Sequence, residues 1–362
     1  MPASHPMPKQ AVGLPRNPFL PSALYWQPRG FFNSIVDFAG SDSPVKGRIT
    51  DASPLITDRQ DKNHALLVAE LPGGKAIGDT ILVSTADDYV IAGMQGLHIL
   101  EPPKDHWLLH RRRFRTTQRI KGRALMLSSN GGNYFHWLFD SLPRLEILDK
   151  AGYDLKDLDW VVIGNHPFPF QQQTLDILNI PREKIVRCSK WKVLQFENLV
   201  VTSMPTFSSG MLEPWLGTWL RGQFSTPASD GLSRYIYLSR RNNPRRRLVN
   251  EMEIERLLQQ RGFEVHVPDN LTFAEQVRLF ASARVIVSPH GAALANIVFA
   301  DAGTRIIELF HPDTKSAIYQ ELARYGGLEY RAVQGKSVSS SPSQDAREVS
   351  FTVDVAEILN CL

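Results

Sequence analysis

The C-terminal half of the chain alternates short β-branched runs with helix-length segments, and few folds accommodate that rhythm. "RYIYL" from Arg234, "GFEVHVP" from Gly262, "ARVIVSP" from Ala283 and "TRIIELF" from Thr304 are strand-length and apolar. Between them lie a helical stretch from about Asn250 to Gln260, the segment "TFAEQVRLFASA", and the small-residue run "GAALANIVFA". Thr272 with Glu275 three residues later forms a capping-box pattern at the start of the second of these. Strands alternating with helices predict an α/β fold with a mostly parallel sheet.

The same rhythm runs upstream. Gly122–Ser129 reads as a strand, and "YFHWLFDSLPRLEILDKAG" has apolar positions recurring at three and four. Pro143 kinks or divides that helix. "LDWVVIG", "KIVRC" and "FENLVVTS" read as further strands, with "FQQQTLDILNI" a helix among them. Strand-like pieces also occur at Ala65–Glu70, Thr80–Ser84 and Tyr89–Ala92. A chain of 362 residues exceeds one ordinary core, so two domains are expected. The small, polar segment Phe224–Ser233 marks the boundary. The expected division is an irregular segment over 1–60, an α/β domain over 61–225 and a second over 234–335. A mobile loop over 336–348 and a short C-terminal helix within 349–362 complete it.

Bulk properties exclude little beyond extremes. The net charge of +4 is too mild to announce a nucleic-acid face, and nucleic acid is not an expected partner. Two cysteines, Cys188 and Cys361, cannot build a disulfide framework or a thiolate metal site. No apolar run reaches the ~20 residues of a spanning helix, and the proline-rich start does not resemble a signal peptide. A cytoplasmic protein is the expectation. "WLLHRRRFR" leaves peripheral membrane contact open, beside the reading of a solvated charged face.

Three places carry chemistry. The first is Ser288–Gly291, at the end of a strand where a helix begins. Parallel α/β sheets bind ligands beyond the carboxyl ends of their strands, and a helix start offers free N–H groups to an anion. His290 can donate to a phosphate oxygen or a sugar hydroxyl, and Gly291 permits close backbone approach. A tight turn with a satisfied histidine is the other reading. The second place is "YLSRRNNPRRRLVNEMEI", with five arginines inside eight residues. Arginine forks suit a diphosphate. Arg240, emerging at the strand end, is the first candidate, with Arg245 and Arg246 next; a solvated basic loop is the alternative. The third is His136 with Asp140, four apart on one helix face. Such a pair could accept a proton from a nucleophile, or be a buried structural hydrogen bond. Glu308, ending "TRIIEL", could accept from both hydroxyls of a ribose. Glu251 reads as structural. No GxxxxGK[ST], GxGxxG or GxSxG pattern occurs.

The blocks "NYFHWLFDSLPRL", "YLSRRNNPRRRLVNEMEI" and "EQVRLFASARVIVSPHGAALANIVFADAGTRIIELF", in this order, resemble glycosyltransferase family 61, known from capsular polysaccharide genes. The resemblance covers about half the chain, from Gly131 to Phe310. It implies a GT-B fold, two Rossmann-like domains facing across a cleft. It implies an inverting glycosyltransferase moving sugar from a UDP-activated donor to a hydroxyl of a glycan acceptor. On this resemblance His136 and Asp140 lie on the acceptor side, with Asp140 as base and His136 positioning the acceptor or sharing the task. Arg240, Arg246, Asn250, His290, Gly291 and Glu308 fall on the donor side, with Arg245 beside them. No cofactor or metal is required. Ala295 departs from the hydroxyl residue of many relatives. A nucleotide-sugar epimerase and a noncatalytic polysaccharide-binding or assembly protein remain the alternatives.

Overall fold

The protein is seen in a computed structural model that describes residues 34–36, 49–51, 66–79, 82–91, 116–128, 133–166, 168–190, 192–206, 212–225, 233–243, 247–314, 316–338 and 350–362. The chain forms two compact units. One comprises Met1–Phe168 with Asn179–Ser209, the other Pro169–Leu178 with Gly210–Leu362.

The first unit is built on a ten-stranded mixed sheet. Its strands are β1 (Ser34–Val36), β2 (Ile49–Asp51), β3 (Leu67–Pro72), β4 (Lys75–Ile77), β5 (Leu82–Ser84), β6 (Tyr89–Ile91), β7 (Thr116–Met126), β8 (Trp160–Gly164), β9 (Ile185–Cys188) and β10 (Lys192–Thr202). The long β10 is central. It runs parallel to β7, which continues in parallel to β8 and β9. On its other edge β10 meets β3 and β4 antiparallel.

This half is therefore not mostly parallel, contrary to the expectation from sequence. The reason is connection length. The sequence-adjacent pairs β4–β5 and β5–β6 are joined through residues 78–81 and 85–88, too short for the crossover that a parallel pair needs. Two three-residue strands, β1 and β2, also fall within the stretch expected to be irregular. A register shift between Phe196 and Asn198 sits opposite Gly122, whose φ of 94° admits glycine most readily. The core includes Ala69, Leu71, Ala124, Met126, Val162, Leu194, Phe196 and Leu199, all buried. Burial pushes the Cys188 thiol up to about 12, so it stays protonated and inert.

The helical segment after β7 does divide near Pro143, as its sequence predicts. It consists of α1 (Tyr134–His136), a π-turn over Trp137–Ser141, and α2 (Arg144–Lys150). Asn133 caps the start, its side chain accepting from the Phe135 N–H.

The second unit holds a five-stranded, wholly parallel sheet: β11 (Arg234–Leu238), β12 (Glu264–His266), β13 (Ala283–Pro289), β14 (Arg305–Phe310) and β15 (Glu329–Gln334). Spatial order is β12-β11-β13-β14-β15. Helices α3 (Pro169–Ile177) and α4 (Pro214–Phe224) precede the sheet in sequence. Between strands run α5 (Glu251–Gln259), α6 (Phe273–Ala281), a 3₁₀ helix (Ala292–Phe299) and α7 (Ile318–Gly326). The Thr272/Glu275 capping box is present at α6. The segment following Gly291 winds as a 3₁₀ rather than an α-helix. From Leu294 to Phe299 every residue is buried.

One sheet face packs Tyr237, Val285, Val287, Ile307 and Leu309 against Ile254 and Leu258 of α5. Phe224, Phe273 and Phe299 interlock edge to face, with ring centroids 5.0–6.5 Å apart, tying α4, α6 and the 3₁₀ helix together. Residues 336–348, expected as a mobile loop, begin with β16 (Lys336–Ser337), paired antiparallel to β17 (Phe351–Thr352). The chain ends in α8 (Val355–Leu359), capped by Asp354. The compact units part at Ser209/Gly210, whereas composition changes at Phe224–Ser233. Most of that expected boundary segment lies outside the described residues, as does "WLLHRRRFR". Among the described residues no helix is long and apolar enough to cross a membrane.

Candidate functional site

Chain order in the second sheet reads 2-1-3-4-5, with the reversal between β11 and β13. Ligands of doubly wound sheets sit outside the carboxyl ends of the strands at such a reversal. Arg240 follows β11 by two residues and His290 follows β13 by one, so these two residues flank the switch point.

Their side chains are organised from below by carboxylates. His290 Nδ1 lies 2.5 Å from Glu308 Oε1, and the Tyr330 hydroxyl donates to Glu308 Oε2 at 2.7 Å. Glu308 is fully buried. Burial and the adjacent carboxylate push the Tyr330 phenol up, keeping it a donor. Because an ionised carboxylate only accepts, Nδ1 carries the shared proton. Nε2 has no hydrogen-bond partner among the described residues. Glu308, expected from its strand-end position to accept from a ribose, is buried with each oxygen hydrogen-bonded by a side chain of this unit.

Arg240 is held in a comparable way. Its backbone N–H donates to Glu251 Oε1 at 2.7 Å, and the Tyr237 hydroxyl reaches the same oxygen at 3.1 Å. Burial raises the Glu251 pKa, opposed by the Arg240 N–H. The Arg240 guanidinium donates from Nη1 to the His290 carbonyl. It crosses directly over Gly291, where a Cβ would collide with Nη1. Gly291 is extended, so its glycine is required by space rather than by conformation. The close approach anticipated at Gly291 is thus made by Arg240.

Asn250 does not join this group. Its side chain donates to the Val353 carbonyl at 2.9 Å and accepts from the Val353 N–H at 3.2 Å, fastening the α5 start to the C-terminal segment. Arg245 and Arg246 lie outside the described residues.

In the first unit a second carboxylate–histidine pair has the same form. His136 Nδ1 is 2.5 Å from Asp140 Oδ2, while the Thr206 hydroxyl donates to Asp140 Oδ1. The Asp140 side chain is 1% exposed and that of His136 20%. The acid is sealed and the imidazole keeps an accessible edge, with Nε2 unpartnered among the described residues. Beneath them Arg144, fully buried, donates from Nε to the Asp140 carbonyl at 2.9 Å and from Nη1 to the Thr202 carbonyl at 2.9 Å. Its Nη2 lies 2.9 Å from Met204 Sδ. Burial lowers the Arg144 pKa to about 10, partly offset by Asp140, which leaves the group charged at neutral pH. The π-turn places Asp140 and is of the kind often found at functional positions.

Sequence reasoning missed Thr206, Arg144 and Tyr330. Arg144 did leave a trace, as a lone cation between Pro143 and Leu145 in an otherwise apolar stretch. Thr206 and Tyr330 are brought in by tertiary contacts across 66 and 22 positions, and no local pattern flags them.

The profile of the family described as Glycosyltransferase 61 matches residues 134–307. That span takes in His136, Asp140, Arg240 and His290 and stops one residue short of Glu308. A β-1,2-xylosyltransferase of Arabidopsis thaliana is 27% identical over 92 residues, 25% of this chain and 17% of that protein. The protein O-linked-mannose β-1,4-N-acetylglucosaminyltransferase 2 of Mus musculus is 32% identical over 111 residues, 28% of this chain and 18% of that protein. The matches span less than a fifth of the length of either relative.

Proposed function

Residues 134–307 match glycosyltransferase family 61, and on that premise we propose that the protein is an inverting glycosyltransferase using a UDP-linked sugar. The acceptor is a hydroxyl of a glycan, as in surface polysaccharide assembly. The observation that carries this reading is the pairing of Arg240 and His290 at the switch point of a parallel sheet. Arg240 supplies a fixed positive charge, and His290 offers Nε2 with a carboxylate behind it. A leaving diphosphate needs such preorganised electrostatic support.

Inversion by single displacement also needs a base for the acceptor hydroxyl. His136 fills that role better than Asp140, which sequence alone favours. Asp140 is sealed and both its oxygens are engaged, whereas His136 Nε2 is available. Asp140 then acts as an orienting carboxylate and stabilises the imidazolium that forms, the logic of a catalytic triad.

In the displacement, the acceptor oxygen bonds to the anomeric carbon and its proton passes to His136 Nε2. The bond from that carbon to the diphosphate oxygen breaks, and the electron pair departs with UDP. His290, protonated at Nε2 by solvent before the displacement, donates a hydrogen bond to the departing oxygen, its charge balanced by Glu308. With these cations in place the reaction proceeds without a resident metal. A GT-B arrangement would let the two histidines serve one substrate pair. The two relatives named above are a xylosyltransferase and an N-acetylglucosaminyltransferase, which makes UDP-xylose and UDP-N-acetylglucosamine the first donors to try.

The test is transfer to glycan extracts from a panel of UDP-sugars, with product anomeric configuration read by NMR. Transfer with retained configuration, or none from any donor, would overturn the proposal. Arg240→Ala should weaken UDP binding about tenfold to a hundredfold, as expected for loss of a charge-assisted contact of 1.5–3 kcal/mol. Gly291→Ala should do much the same, by pushing Nη1 off the His290 carbonyl, while costing little stability because a flexible side-chain end gives way. Calorimetric UDP affinities equal to wild type in both variants would remove Arg240 from the diphosphate site.

A further inference from the structure

Beside the His290 support lies a cavity of about 370 Å³, walled by Phe310, Thr314, Ser316, Gln320, Tyr330 and Gln334. It belongs wholly to the second unit. Two of its walls are the side chains that hold His290. The Phe310 ring stacks on the imidazole at a centroid distance of 5.2 Å, and Tyr330 reaches Glu308 with its hydroxyl. Anything in the cavity is therefore separated from His290 by about one aromatic ring.

The lining chemistry narrows the occupant. Among the described residues it offers the hydroxyls of Thr314, Ser316 and Tyr330, two carboxamides and the guanidinium of Arg331, with Ala332 also on the wall and no carboxylate. The Gln334 carboxamide is pinned, its Nε2 donating to the carbonyls of His311 at 3.2 Å and Pro312 at 2.9 Å, which leaves Oε1 to accept from a ligand. Doubly wound sites commonly hold a ribose by a carboxylate, and none lines this cavity among the described residues. One face of Phe310 is already covered by His290, leaving a poor slot for a flat base. Neutral donors and acceptors around a small polar hollow suit a ring bearing many hydroxyls. Its volume is at the lower end for small-molecule sites, in keeping with a single sugar ring.

We infer that this cavity takes the sugar ring of the donor, and that Gln320, Gln334 and Thr314 determine which sugar is accepted. The inference rests on the nucleotide-sugar reading above and adds the place where the sugar is read.

Calorimetric titration with UDP, UDP-N-acetylglucosamine and UDP-xylose tests it, using the full chain and two variants. Ala332→Trp fills the cavity from an exposed position on edge strand β15. Gln320→Ala removes one carboxamide from the exposed side of α7. Thermal melting of each variant identifies any loss of fold, so that the other can be read alone. The quantity of interest is the Kd of each UDP-sugar divided by the Kd of UDP. In Ala332→Trp this ratio should rise about tenfold for UDP-N-acetylglucosamine and less for the smaller UDP-xylose. Gln320→Ala should change the preference between the two sugars, with UDP itself within about twofold of wild type. Unchanged ratios in both variants would overturn the inference, and a parallel loss for UDP and UDP-sugars would assign the cavity to the nucleoside instead. If the wild type binds none of the three, the nucleotide-sugar reading itself falls, a failure visible before any variant is made.

Discussion

Replacing His136 with alanine is expected to lower the turnover number about 10²- to 10⁴-fold, the range for loss of a positioned general base. UDP affinity should stay at the wild-type level, because the groups proposed to hold the diphosphate belong to the other unit. The size of the effect follows from geometry. His136 is the member of its dyad with a free ring nitrogen, and the buried Asp140 has none of its oxygens to spare. Asp140→Asn should also be severe. An amide placed beside Nδ1 can stabilise the wrong tautomer and turn Nε2 from acceptor to donor. The two substitutions are separated by rescue: added imidazole should restore part of the rate in His136→Ala and none in Asp140→Asn. If Asp140 were itself the base, as its spacing first suggests, His136→Ala would keep most of its turnover. Wild-type rates in His136→Ala would end the assignment.

The two dyads show how far a sequence can be read. Each histidine was identifiable from position: His290 at a strand end before a glycine, His136 four residues before an acid. Their carboxylates were identifiable too, but their second partners, Tyr330 at Glu308 and Thr206 at Asp140, were not. Burial and second partners arise from contacts distant in sequence. The fold divides similarly. In the second unit, strand-length runs separated by helix-length segments dictate parallel pairing, and the five strands from β11 to β15 follow that pattern. In the first unit, β3 to β6 are short, and the chain reverses near Gly78 and Asp88, each with positive φ. Apolar runs of that length look alike in either pairing direction, so only the connections reveal the antiparallel half.

Arg144→Ala is expected to cost about 3–5 kcal/mol of folding stability, the scale for removing one member of a buried charged network. No part of Arg144 is exposed, and burial alone drives its pKa down to about 10. What keeps the charge tolerable is the neighbouring Asp140 and the hydrogen bonds to the carbonyls of Asp140 and Thr202. Alanine would leave those carbonyls without this donor, would leave the Asp140 carboxylate without its buried counter-charge, and would open a void the size of the side chain. Lysine should rescue little, since one ammonium cannot reproduce the planar fork that reaches the π-turn and β10 together. Urea denaturation should register the loss as a lower midpoint at unchanged m, the mark of altered stability rather than altered compactness. A loss below about 1 kcal/mol, in the range of an exposed ion pair, would mean that the arginine is not what holds the π-turn against β10. The positioning of Asp140, and through it of His136, would then need another cause.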